Sequence, residues 1–259
     1  TTASNNTAVG YRSQYTNSTG TNNVSVGKQS LNDNTTGSSN TAIGVEALIQ
    51  NTTATGSTAV GYQAGYSNTT GTYHTAVGHT ALYSNTTGTN NSVFGHQALY
   101  SNTTGNFNTA LGLNSLYSNT TSSYNTAVGY QAGYSNTTGA ANVAIGASAL
   151  YDNSTGIRIT AVGREALANN TTGNHNTGIG YQAMLTNTTG NNNVSVGYES
   201  LNSNTTASNN TAVGYTAGYS NTTGAQNTFV GRQASYRNTT GNYNASLGND
   251  ALFYNTTGS

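Results

Sequence analysis

The apolar and polar residues of this chain follow a pattern that repeats every 17 residues. Fifteen copies align without insertion or deletion, and position 1 of the repeat is defined here by Asn125. Position 4 is always apolar, position 5 is always Gly, position 8 is always Ala or Ser, and position 9 is mostly Leu. Such short, fixed self-similarity is typical of a solenoid, in which each repeat forms one coil and buries its apolar residues against neighbouring coils.

The polar half of the repeat predicts a turn. Position 12 is always Asn, position 13 is Thr or Ser, position 14 is always Thr, and position 15 is Gly except at Ala54, Ser122 and Ala207. Asn and Gly both favour turns, because Asn bonds to nearby backbone groups and Gly accepts a positive φ. Because the same Asn recurs in every coil, we expect its side chains to form an amide ladder along the axis.

The apolar half predicts one short strand over positions 1 to 7. Strand alternation sends position 4 to one face and the small residues at positions 3 and 5 to the other. That small-residue face suits either a thin solenoid interior or close contact between chains. Positions 8 and 9 are expected to begin a second arm that fills the remaining interior. The predicted fold class is therefore all-β, a parallel β-solenoid of fifteen 17-residue coils.

Composition supports order through repetition. Only 33% of the 259 residues are hydrophobic and 5% are charged, with no Cys, Pro or Trp, which is too little bulk for a conventional core. The net charge of zero argues against a nucleic-acid partner, and no apolar run approaches the ~20 residues that membrane insertion needs. We interpret residues 1–259 as a single repeat array without visible caps, cut from a longer fibre.

The strand motif resembles a known family at three places: Asn142-Val-Ala-Ile-Gly-Ala-Ser-Ala, Asn193-Val-Ser-Val-Gly-Tyr-Glu-Ser and Asn23-Val-Ser-Val-Gly-Lys-Gln-Ser. It is similar to the head repeat of trimeric autotransporter adhesins, and to the arrays of phage tail fibres and bacterial surface fibres that end in an endosialidase-type chaperone. The resemblance implies a left-handed β-roll, three chains of which pack around a common axis. It also implies that positions 2 and 4 fill each roll, while positions 3 and 5 allow tight packing.

Tyr at position 10 is the main candidate for a binding surface. Stacked coils would align these rings into one stripe, and an exposed aromatic stripe suits sugars or apolar surfaces. The alternative is a packing ladder along the solenoid or into a partner chain. The stripe comprises Tyr66, Tyr83, Tyr100, Tyr117, Tyr134 and Tyr151.

Position 6 carries a second set of rings. Tyr62, Tyr130 and Tyr215 each accompany a Gly at position 9 of the same coil, so large and small residues are expected to compensate within the coil. His79 and His96 share position 6 in adjacent coils. Two imidazoles can begin a metal site, but no carboxylate or Cys falls at a matching position, so stacked surface rings are favoured and no metal or cofactor is predicted.

The Asn-Thr-Thr corner permits two further interpretations. It matches the acceptor sequence for N-glycosylation, with a turn as the alternative explanation for its residues. Ranks of Thr on a β-solenoid can also order water, which would make an ice-binding surface. Candidate glycosylation sites are Asn68, Asn85, Asn102, Asn119 and Asn136.

The sequence does not predict catalysis. Its six carboxylates are scattered over distant coils, and no Ser, His and Asp set can be assembled by register. Arg164 and Glu165 are strand neighbours, so they are expected to point to opposite faces and not to pair.

These patterns together predict a non-catalytic shaft or head segment of an extracellular, cell-surface or virion-associated attachment fibre that associates with itself as a homotrimer or filament. One alternative is an adhesin that binds host-cell surface glycans through the Tyr stripe. Another is an ice-binding or filament-forming solenoid that uses its Thr ranks.

Overall fold

The computed structural model describes residues 2–259, which divide into two compact units, residues 2–127 and 128–259. Each unit is an all-β parallel solenoid with 17 residues and one three-residue strand per coil, and the described residues contain no helix. The solenoid prediction is therefore confirmed for each unit. The strands are β1 (Thr7–Val9), β2 (Val24–Val26), β3 (Thr41–Ile43), β4 (Thr58–Val60), β5 (Thr75–Val77), β6 (Ser92–Phe94), β7 (Thr109–Leu111), β8 (Thr126–Val128), β9 (Val143–Ile145), β10 (Thr160–Val162), β11 (Thr177–Ile179), β12 (Val194–Val196), β13 (Thr211–Val213), β14 (Thr228–Val230) and β15 (Ala245–Leu247).

Strands pair in parallel with the same three positions of the next coil. In the first unit β1 to β7 are hydrogen-bonded in chain order, with Thr58 opposite Thr75, for example. In the second unit β9 to β15 pair in the same way, with Thr160 opposite Thr177. Within each unit a side chain therefore lies beside the residue 17 places along the chain, and each position of the repeat forms a row parallel to the axis of that unit.

The strand is shorter than the predicted seven residues because the backbone leaves the extended region at position 5. The Gly there has φ between +119° and +140° in every coil, and positions 7, 9 and 17 follow in the left-handed region. Examples are Gln63 (φ 52°), Leu48 (φ 49°) and Tyr73 (φ 61°). Left-handed backbone costs L-residues roughly 1–2 kcal/mol each, so it persists only where the surrounding structure fixes it.

Hydrogen bonds between coils fix these left-handed positions. The backbone N–H of Gln63 donates to Val45 O (2.9 Å), that of Leu48 to Ala64 O (3.0 Å), and that of Tyr73 to Thr55 O (3.1 Å). Each bond reaches an adjacent coil, and the same three positions are bonded in this way through most of both units. A coil thus obtains its sharp bends from its neighbours and is not a stable unit by itself.

The core of each unit consists of positions 3, 8 and 9. Position 3 is buried from Ser25 to Ser246, and positions 8 and 9 are buried in all but the terminal coils. The expectation from the adhesin resemblance, that positions 2 and 4 fill the roll, is wrong. Strand alternation turns position 4 outward, as the exposed Phe94 shows, and the Ala face lies inside the coil.

Candidate functional site

Asn at position 12 forms the predicted amide ladder, and it does so in the interior. The Nδ2 of Asn102 donates to Asn85 Oδ1 (2.8 Å) and to the backbone oxygen of Gly105 (3.0 Å), and its own Oδ1 accepts from Asn119 (2.9 Å). Equivalent bonds between neighbouring Asn side chains recur in both units. The ladder satisfies buried polar groups that would otherwise destabilise the turn.

The candidate glycosylation sites belong to this ladder. Their side chains are at most 1% exposed, and the nitrogen that would carry a glycan is already a buried donor. In the folded coil a glycosyltransferase cannot reach it, so modification would have to occur on the unfolded chain. Glycosylation stays a prediction that intact mass tests. The residues concerned are Asn68, Asn85, Asn102, Asn119 and Asn136.

A second ladder, at position 1, was not foreseen from the sequence. Asn91 shows the pattern: its Oδ1 accepts the backbone N–H of Asn108, at position 1 of the next coil (2.9 Å), and its Nδ2 donates to the carbonyl of Gly105 at position 15 (2.9 Å). His74 takes this position in one coil and is buried. Its Nδ1 accepts from the backbone N–H of Asn91 (3.3 Å), and burial lowers the pKa of the His74 imidazole to about 4. His74 is therefore neutral at physiological pH.

Tyr at position 10 forms the predicted stripe, as half-buried stacked rings. In the first unit the ring centroids of Tyr66 and Tyr83 lie 4.9 Å apart, those of Tyr83 and Tyr100 5.0 Å, and those of Tyr100 and Tyr117 5.2 Å. Tyr83 and Tyr100, which lie inside the run, are each covered by a ring on both faces. Burial, and then the neighbouring Tyr66 and Tyr100, raise the pKa of the Tyr83 hydroxyl. Such a run presents mainly ring edges and hydroxyls to solvent.

In the second unit, Tyr134 and Tyr151 stack at 5.2 Å, and a further run that sequence reasoning missed stacks Tyr219, Tyr236 and Phe253 at 5.2 and 5.3 Å. These three residues share position 10 with the predicted stripe, so comparison of the aligned copies would have found them. Burial also raises the pKa of the Tyr151 hydroxyl and that of the Asp152 carboxyl beside it in sequence.

Position 6 holds a ladder on the outer surface. The ring centroids of Tyr62 and His79 lie 5.0 Å apart and those of His79 and His96 lie 5.1 Å apart. This is the stacking of surface rings that the sequence favours over a metal site. The described residues contain no group of three His, Cys, Asp or Glu that could hold a metal ion. The expected compensation between Tyr62 and Gly65 is wrong, because Tyr62 is 45% exposed whereas Gly65 lies inside, against Leu48.

Arg164 and Glu165 form an ion pair, contrary to the expectation from strand alternation. Arg164 Nη2 lies 2.8 Å from Glu165 Oε1, and Arg164 Nε donates to the same oxygen at 3.0 Å. Strand β10 ends at Val162, and Glu165 has φ 56°, so the two residues are in a turn. Gln182 Nε2 donates to Glu165 Oε2 (2.6 Å), and this bond, followed by Arg164, lowers the pKa of the carboxyl.

A surface cleft of about 370 Å³ lies beside this ion pair in the second unit. It opens where the Tyr stripe stops, because position 10 is Ala168 in the coil after Tyr151 and Leu185 in the next. Glu165, Gln131 and Asn169 supply polar groups to its lining. The cleft thus combines an aromatic ring, an apolar floor and several hydrogen-bonding side chains.

Position 4 forms an apolar row on the outer face of both units. None of its fifteen Val, Ile, Leu or Phe side chains is buried, and Phe94 and Leu111 are 41% and 46% exposed. Soluble chains seldom expose a contiguous apolar surface unless it contacts a partner. The row is therefore a candidate interaction surface.

The two Thr ranks of the corner differ in their environment. At position 13 the hydroxyl donates to the carbonyl of position 13 in the next coil, as Thr86 does to Thr103 (3.1 Å). At position 14 the Thr side chain is exposed in every coil, Thr87 and Thr104 among them. Only position 14 therefore offers a rank of side chains directed to solvent.

Comparison with protein-family models, with curated proteins and with solved structures finds no significant match to this chain. Among residues 2–259, no helix is long and apolar enough to cross a membrane.

Proposed function

We propose that this chain is a non-catalytic shaft or head segment of an extracellular or virion-associated attachment fibre, in which three copies associate side by side. The observation that carries this proposal is the apolar row at position 4. Its residues vary among Val, Ile, Leu and Phe but are never polar, although none of them is buried in the single chain. Contact with a partner surface explains why position 4 is never polar. The resemblance to trimeric adhesins is the reason for proposing three copies.

The arrangement of polar groups supports lateral association. The buried Asn side chains at positions 1 and 12 are bonded within and between coils, so these two ladders do not need a partner chain for their polar groups. Position 4 contributes an unburied apolar side chain in every coil, and these side chains lie on the outer strand face. Covering a half-exposed Val or Leu contributes about 1 kcal/mol or less, but the contribution recurs in every coil, so a long array gains affinity from its length.

Light scattering on the purified chain tests the proposal. We expect about three times the 26.5 kDa chain mass. The double variant Phe94→Glu and Leu111→Glu places two charges on the row and should shift the mass towards that of one chain. The matched control is Thr87→Glu and Thr104→Glu, which adds the same charges at exposed position 14. A wild-type monomer, or equal dissociation by both double variants, would contradict association through position 4.

A second candidate function is ice binding, favoured by the exposure of Thr at position 14 in every described coil. Threonines in one row along a stiff solenoid place hydroxyl and methyl groups at a regular spacing of about 4.8 Å. Thermal hysteresis of the purified chain measures this activity. Hysteresis that disappears in Thr87→Lys with Thr104→Lys would establish it, and none in the wild type would reject it.

A further inference from the structure

We propose that the cleft beside Tyr151 is a carbohydrate subsite that holds one pyranose ring. The proposal concerns a single place where a row of side chains is interrupted, and it goes beyond the function of a fibre segment. The cleft is lined from positions 7, 10 and 11, none of which belongs to the apolar row at position 4. Association of chains through position 4 and binding in this cleft can therefore be tested separately.

The cleft arises because one coil lacks an aromatic ring at position 10. Tyr134 covers one face of Tyr151 at 5.2 Å, whereas the following coil places Ala168 at the position that would cover the other face. Leu185 closes the far side, one coil further on. Coils are spaced by about 4.8 Å, so Tyr151 and Leu185, which are two coils apart, are separated by roughly 10 Å along the axis. One ring can therefore stack between them.

The position-10 row has no second gap of this kind among the described residues. Its remaining members are aromatic, Leu, Ile or Asn, and only Ala168 lacks a side chain beyond Cβ. The volume of about 370 Å³ lies within the ~300–1,000 Å³ of typical small-molecule sites. The opening is therefore a local feature and not a property of every coil.

The polar lining matches a ligand with several hydroxyl groups. Glu165 is held by Arg164 on Oε1 and by Gln182 on Oε2, and Oε2 keeps acceptor capacity because a carboxylate oxygen can accept two bonds. Gln131 and Asn169 offer amides that both donate and accept. A pyranose presents polarised C–H groups to the negative face of an aromatic ring and hydroxyls at its edge, which fits Tyr151 and this lining together.

Ligand-observed saturation-transfer NMR tests the proposal with three probes: methyl β-D-glucopyranoside, methyl β-D-galactopyranoside and N-acetyl-D-glucosamine. We expect saturation of the ring C–H protons of at least one probe, with a Kd of about 1–10 mM, the weak range for one small contact. Ala168→Tyr, which completes the stripe, and Ala168→Leu, which copies position 10 of the next coil, should each abolish the signal.

Glu165→Gln should weaken binding at least about threefold, since a charged acceptor bonds more strongly than a neutral one. Glu46→Gln is the matched control, because Glu46 also accepts from a Gln in the next coil but has Ile49 at position 10 of its own coil. We expect no effect of this control. No saturation from any probe at 20 mM, or a signal that survives both Ala168 variants, would overturn the proposal. If both Ala168 variants misfold, equal effects of Glu165→Gln and Glu46→Gln would overturn it.

Discussion

Phe229 occupies the interior space that a side chain at position 218 would need. Gly218 lies at position 9, where most coils have Leu, and a Cβ atom built on it would overlap the Phe229 ring. Phe229 lies at position 3, where most coils have Ala, and it is fully buried. One large and one small residue have thus exchanged places between neighbouring coils.

This exchange predicts a strong coupling between two substitutions. Gly218→Leu alone should destabilise the second unit by about 3 kcal/mol through overpacking, and Phe229→Ala alone by about 3–4 kcal/mol through a cavity. The double variant restores the usual pair and should be more stable than either single variant. Leu201 already adopts a left-handed backbone at position 9 (φ 45°), so the backbone at 218 accommodates Leu. Additive losses in thermal unfolding would contradict the packing seen here.

Two glycines of one coil should differ in their tolerance of Ala. Gly78, at position 5, has φ 140°, a conformation that L-residues rarely adopt, and its Cβ would also overlap the backbone of Gly95. Gly88, at position 15, is equally crowded but has no positive φ, and Ala54 and Ala207 occupy that position elsewhere. We expect Gly78→Ala to cost about 3 kcal/mol or more and Gly88→Ala less than half as much. Comparable losses on chemical denaturation would contradict this difference.

The sequence predicted the solenoid and its rows because both follow from the period of 17 residues. Once coils stack in register, Tyr66 must lie beside Tyr83, and Asn85 beside Asn102, whatever the path of the backbone within a coil. The same argument would have found Tyr219 and Tyr236.

The path within a coil was harder to predict. Gln63 and Leu48 are left-handed, yet neither residue type favours that conformation, so no local signal marks these bends. For that reason the strand was predicted too long, and Arg164 and Glu165 were assigned to opposite faces. The cleft was missed because it depends on one departure from the repeat, Ala168, whereas the alignment emphasises what the copies share.

The Asn ladder predicts a local loss of stability without a change of surface. Asn102→Ala removes two donated bonds, and it leaves the buried Oδ1 of Asn85 without its donor from the next coil, so it should destabilise the first unit by about 2 kcal/mol. Thr104→Ala, an exposed change in the same coil, is the control and should have almost no effect. The free energy of unfolding from urea denaturation compares them. Equal stability of the two variants would show that the ladder contributes little.

His74 predicts that the first unit loses stability in acid. The pKa of this imidazole is about 4 in the folded chain and near 6.5 when exposed, so the unfolded chain takes up the proton first as the pH falls. The contribution of His74 to the free energy of unfolding is therefore complete above about pH 6.5. It decreases by about 3 kcal/mol as the pH falls to 4. Protonation would also remove the lone pair on Nδ1 that accepts the Asn91 N–H.

The variant His74→Asn restores the residue that most coils have at position 1, and its amide can supply the same acceptor without titrating. We expect the melting temperature of the wild type to fall more steeply between pH 6.5 and 4.5 than that of this variant. His79→Asn is the control, because His79 is exposed on the outer ladder and should leave the wild-type pH dependence unchanged. Parallel pH profiles for the wild type and His74→Asn would mean that a buried neutral His74 does not govern acid stability. Carboxylates protonated in the same range act equally on all three proteins, so the difference between profiles isolates the imidazole.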